Sequence, residues 1–175
     1  MTYMVPFDGS ELSKAALMKA RIHAIALDEA PPEIRKHILR EKPLDVIAVS
    51  IVPESARYAR EKGWIREDGE FSTRRVVEEL HQQVTDIDPS AEFQFERVDG
   101  GATSGTISTR LRQHADDFNA DIVFIGSENA GRIVTPITSV SRGVASDMDY
   151  DVCIVRHPIP PEVKSRIKSE FFIPE

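Results

Sequence analysis

One cysteine and one tryptophan stand among 175 residues. A lone cysteine, Cys153, forms no internal disulfide, and no paired Cys or His spacing of the zinc-holding kind occurs. In its context, DVCIVR, it reads as a small buried hydrophobe. Long apolar runs are missing too: none approaches the roughly 20 residues that span a bilayer. The opening stretch MTYMVPFDGS lacks the basic region and apolar core of a secretory signal, so a cytoplasmic location and no membrane partner are expected. Positive charge is in deficit, with a net charge of −7. A general DNA or RNA binder needs a basic face, so nucleic acid is not an expected partner.

Catalytic signatures are equally scarce. Gly126 and Gly131 have the spacing of a Walker loop, but Arg132-Ile133 follow where Lys and Ser or Thr would stand. There is no GxSxG elbow. The five histidines, at 23, 37, 81, 114 and 157, are scattered through predicted helices and the tail, none beside a plausible nucleophile. No catalytic residue and no metal site is assigned. The carboxylate pairs Asp86-Asp88 and Asp147-Asp149 read as solvated turns at helix ends.

What is present is an ordinary globular composition, 41% hydrophobic and 29% charged, long enough for one domain around one core. Only seven of the 22 cationic residues are Lys. An acidic, Lys-poor balance fits either an ordinary acidic cytosolic protein or one adapted to high salt. A melting temperature that rises with salt would mark the second, since salt screens repulsion among exposed carboxylates.

Strand-like and helical patterns alternate along the chain. YMVPF leads through Asp8-Gly9-Ser10 into a helix capped by Ser10, with Leu12, Ala15, Ala16 and Ile22 at helical spacing. LDVIAVSIV is apolar on both faces, as a strand in a covered parallel sheet must be. A helix from Ser72 carries Val76, Val77, Leu80 and Val84 on one stripe. AEFQFERV alternates, which predicts a strand near an edge. A helix with Ile107, Leu111 and His114 facing in, the strand ADIVFIG, a helix over SVSRGVASDM and the strand DVCIVRH complete the series. The pattern predicts an α/β, doubly wound, five-stranded parallel sheet with helices on both faces. Its domain spans 1–157, with excursions at about 28–43 and 53–71 and a proline-led tail at 158–175. The 53–71 excursion is dense in charge with few apolar anchors beyond Trp64 and Ile65, so it reads as the most mobile segment, a surface insertion or a lid.

In such a sheet, ligands bind beyond the carboxyl ends of the strands, where the strand order reverses. The loops there begin at Asp8, at Val52 and at Gly126. Asp8 can accept hydrogen bonds from a ribose or an adenine amine, or can simply cap the first helix.

VPFDGSELSKAAL, VDGGATSGTI, and ADIVFIGS followed by TSVSRGVASDMDYDVCIVR resemble the universal stress protein family over about residues 2–157. The resemblance implies a flavodoxin- or Rossmann-like sheet ordered 3-2-1-4-5, a homodimer through strand five, and a role in stress tolerance. Some members bind ATP, with a loop of Gly, two residues, Gly, nine residues, Gly, then Ser or Thr. Gly126 matches the first glycine and Asn129 stands in place of the second. The third is replaced by Thr138 or by Ser139, depending on whether the hydroxyl residue or the spacing is kept. Asn, Thr or Ser there adds bulk where amides would approach a phosphate, and Pro136 removes an amide donor. Arg132, the hydroxyls and a helix amino terminus could still meet a small anion.

The candidate ligand-binding residues are therefore Asp8, Ile51, Gly126, Asn129, Gly131, Ser139, Val140 and Ser141. Three functions are open: a dimeric stress-response or regulatory binding module without robust ATP binding; a binder of ATP-Mg with at most slow hydrolysis; and an adenylating-type enzyme. The third expects a Ser- and Gly-rich phosphate loop after strand one, which FDGSEL lacks.

Overall fold

Tyr3, Met4 and Val5 expose no surface, the burial a strand acquires with a neighbour on each edge and a helix layer on each face. The computed structural model describes residues 1–39, 43–130 and 149–163. Its parallel strands are β1 (Thr2–Pro6), β2 (Asp45–Pro53), β3 (Glu92–Val98), β4 (Ile122–Gly126) and β5 (Asp151–Val155), in the order β3-β2-β1-β4-β5. The helices are α1 (Glu11–Asp28), α2 (Pro32–Leu39), α3 (Ala56–Glu61), α4 (Thr73–Ile87), α5 (Ser104–Asp117) and α6 (Ser127–Ala130). The order reverses between β1 and β4, which places the switch point at their carboxyl ends.

Side-chain alternation along the strands divides the core into two layers. Tyr3 and Val5 meet Ala16 and Leu17 of α1 and Val76, Leu80 and Val84 of α4. Met4, Val49, Ile51, Val123 and Ile125 meet Ile107, Leu111 and Ala115 of α5 on the opposite face. β3 lies at one edge as its alternation predicted, with Phe95 46% exposed. β5 lies at the other edge. Cys153 is half-buried rather than buried, packed against the α1 layer. Val77 is likewise only partly covered.

A larger departure from the sequence expectation concerns a charged residue. Asp88 is no solvated turn residue: it is 1% exposed at the end of α4. Its Oδ1 pairs with the Arg21 guanidinium of α1 and accepts the Ser90 N–H at 3.0 Å and the Ser90 hydroxyl at 2.6 Å. A buried carboxylate persists only with such partners. The helix expected over SVSRGVASDM and the end of the tail lie outside the described residues.

Candidate ligand site at the carboxyl ends of the strands

β1 is locked to β2 where it leaves the sheet. The Phe7 N–H donates to the Val49 carbonyl at 2.8 Å, and the buried Ser50 hydroxyl donates to the Phe7 carbonyl at 2.6 Å. The chain must then reverse into α1. Gly9 does so at φ +76, and a β-carbon on it would lie 2.9 Å from Gln83 Oε1 and 3.1 Å from Leu80 Cδ2. Only glycine meets both demands cheaply. Ser10 caps α1 as expected, its side chain accepting the Ser13 N–H at 3.2 Å. Ser13 fills the position a capping-box acid would take, and its hydroxyl accepts the Asp8 N–H at 3.4 Å.

These restraints hold Asp8 over the switch point with its acceptors already engaged. Oδ1 accepts the Ser10 N–H at 3.1 Å; Oδ2 accepts the Lys62 ammonium at 2.7 Å and the Asn129 side-chain amide at 3.0 Å. The Asp8 carbonyl accepts the indole N–H of Trp64 at 2.8 Å. Burial pulls the carboxyl toward its neutral form. The Lys62 ammonium, together with the Ser10 and Asn129 donors, outweighs that and holds it well below the usual carboxylate range. Asp8 is thus both the cap of the β1–α1 turn and the centre of a polar cluster.

Of the other candidates, Ile51 is buried and lines the apolar crevice beside Asp8, with Phe7, Val49, Tyr58, Ile107, Leu111 and Asn129. That crevice has a free volume of about 20 Å³. A single water needs about 10–15 Å³ on this measure, and ligand pockets run to about 300–1,000 Å³. Asn129 is buried in α6, donating to Asp8. Gly126 serves packing: a β-carbon there would sit 2.8 Å from Leu12 Cβ and 3.1 Å from the Leu12 carbonyl carbon, so its absence lets α1 lie close on β4. Gly131, Ser139, Val140 and Ser141 lie outside the described residues.

The site also contains residues that the sequence reading left out. The 53–71 excursion folds back over the crevice as a strap. Ala59 is fully buried, Tyr58 packs on the α5 layer, and Trp64, Ile65 and Phe71 pack on the α1–α4 layer. The strap therefore bridges both layers across the strand ends, with more apolar anchorage than its charged sequence suggested. Its entrance is tied down by Gly100, where a β-carbon would lie 2.4 Å from the Glu54 carbonyl oxygen.

The histidines sit elsewhere. His23 Nδ1 shares a 2.7 Å hydrogen bond with the Tyr3 hydroxyl, which burial and then the Asp121 charge push up to about 12. His114 pairs with Glu96 at 2.9 Å. A wider hollow of about 750 Å³ opens at the amino-terminal end of the sheet, beside Asp116, Asp121, Asp149 and Tyr150. Asp121 is already engaged by the Thr2 N–H at 2.7 Å, and the hollow lies away from the switch point. The strand-end crevice remains the candidate.

No curated protein matches the chain. A solved hypothetical protein, the subject of a structure-based assignment of biochemical function, superposes with a TM-score of 0.43 at 17% identity, covering 91% of this chain and 97% of that one. A universal stress protein in complex with cAMP gives 0.43 at 20% identity, covering 89% and 96%. A universal stress protein family member from Burkholderia pseudomallei gives 0.44 at 17% identity, covering 89% and 96%. The model of the universal stress protein family matches residues 1–156, and the chain belongs to that family.

Proposed function

We propose that this chain is a regulatory binding module of its family, without robust catalysis, whose strand-end crevice does not retain ATP in the closed form described above. The observation that carries this reading is the occupancy of Asp8. The carboxylate that would receive a ribose or adenine donor already accepts three protein donors, and the space beside it is about 20 Å³. To bind there, a nucleotide must displace Lys62 and Asn129 and replace both hydrogen bonds, which removes most of the net gain from its own. Asn129 adds a buried side chain where ATP-binding relatives carry glycine.

Calorimetric titration of the intact protein with ATP-Mg at matched salt is expected to show no low-micromolar affinity. Low-micromolar binding that disappears in Asp8→Ala would reverse the reading and make the crevice an ATP site.

The same reading includes a two-fold homodimer through β5. Among the described residues β5 pairs only with β4, and Ile154 on it is 37% exposed. An open apolar edge strand is an aggregation hazard unless covered, and pairing with its own copy removes the hazard. Sedimentation at micromolar concentration, in low and in high salt, is expected to give a dimer; a monomer in both rejects it.

A further inference from the structure

Two side chains of the strap converge on one residue of the crevice, Asp8, and a third packs against both of them. Lys62 Nζ lies 2.7 Å from Asp8 Oδ2, and the Trp64 indole N–H donates to the Asp8 carbonyl at 2.8 Å. The Tyr58 ring lines the crevice, meets Trp64 edge-on at 5.4 Å and lies under the Lys62 ammonium at 5.9 Å. From this convergence we propose that the strap is a built-in competitor for the ligand site, with Lys62 as its latch, and that releasing the Lys62–Asp8 contact opens a slot for a flat ring bearing an N–H donor. This rests on the reading above, that the crevice is a ligand site held closed.

The chemistry of the two partners supports a latch rather than a simple surface pair. The side chains of Lys62 and Asp8 are only 23% and 12% exposed, so water and salt screen the contact weakly. Both of its partners are charged, so it is stronger than the Asn129 contact, in which only the acceptor is charged. Once Lys62 is gone, Asp8 keeps a buried negative charge with fewer donors and so favours an incoming N–H. The walls behind it, Phe7, Val49, Ile51, Ile107 and Leu111, are apolar and suit the faces of a nucleobase.

The strap has a pivot where such a latch requires one. Gly63, between Lys62 and Trp64, takes φ +71 and has open space around it. The far end is fixed by the Glu54–Gly100 contact, so motion would concentrate at the latch. By contrast, the exposed Arg57–Glu61 pair at 2.9 Å stays within α3 and does not tie the strap to the sheet.

The single tryptophan of the chain is Trp64, so its fluorescence reports the strap alone. In the intact protein, Lys62→Met is expected to shift the emission to the red and to raise the acrylamide-accessible population about tenfold or more, the factor that loss of one charge-assisted hydrogen bond implies. Adenosine should then bind Lys62→Met about tenfold tighter than wild type. Purine riboside, which lacks the exocyclic amine, should gain less. Lys62→Arg should behave as wild type, Lys62→Gln should fall between, and Asp8→Asn with Lys62→Met should release Trp64 without any gain in adenosine binding. If Trp64 stays equally protected in Lys62→Met and Lys62→Gln, or if adenosine gains nothing in either, the latch is rejected while the weak-ATP reading stands. Low-micromolar ATP binding by the wild type would reject that reading itself.

Discussion

Replacing Asp88 by alanine is expected to destabilise the protein by about 3 kcal/mol, the scale for removing one partner of a buried ion pair. Asp88 is almost fully enclosed, and the Arg21 side chain opposite is only 16% exposed. Truncation removes a carboxylate partner from that buried guanidinium and strips the acceptor from Ser90, whose N–H and hydroxyl both donate to Asp88. Because α1 supplies Arg21 and the α4 terminus supplies Asp88, the pair fixes how two helices of one layer sit against each other. Urea denaturation of the variant should show a lower midpoint with an unchanged slope. An effect within about 0.5 kcal/mol, the usual range for surface substitutions, would mean that Asp88 behaves as the solvated turn residue its sequence context suggests.

Asp88 also shows where sequence reading stops. Next to Pro89, after a helical stripe, a carboxylate has the local signature of an exposed turn; its burial depends on Arg21, 67 positions away. Patterns with a period were readable. β1 and β2 are apolar on both faces, β3 alternates, and Val76, Leu80 and Val84 mark the inner side of α4, because burial repeats at the period of the element. The strand order is a different matter, since alternation of strands and helices is compatible with several orders, and it came from the family resemblance. In the site, Asp8 was legible as the residue that opens the loop after β1. Its partner Asn129 was legible only as a lost glycine, since a contact spanning 121 positions has no periodicity to announce it. The 53–71 excursion was legible as a lid, but its anchorage was hidden for the same reason. Tyr58, Ala59, Trp64 and Phe71 are apolar but irregularly spaced among charges, and Lys62 reads as one surface cation among many until folding sets it on Asp8.

That Lys62–Asp8 contact makes part of the stability dependent on pH, with a sign that follows from the carboxylate. Asp8 is held well below the ordinary carboxyl range in the folded chain despite its burial, through Lys62, Ser10 and Asn129. In the unfolded chain it titrates near the ordinary value of about 3.9. Above that value Asp8 is charged in both states, and its contribution, on the order of 2–3 kcal/mol, is fully present. As pH falls below about 4, the unfolded chain takes up a proton at this position and the folded chain does not, so the contribution shrinks until pH reaches the depressed folded value. Asp8→Asn removes the titration while keeping a similar shape. Its deficit against wild type, measured by urea denaturation, is therefore expected to be constant from neutral pH down to about 5 and to narrow steadily below about 4. Because the other carboxylates titrate in both proteins, the difference between the two curves isolates Asp8 to the extent that distant sites act independently. A deficit that stays flat through the acid range would show that the Lys62 contact contributes no charge-dependent stability, and with it that Asp8 matters only as a turn.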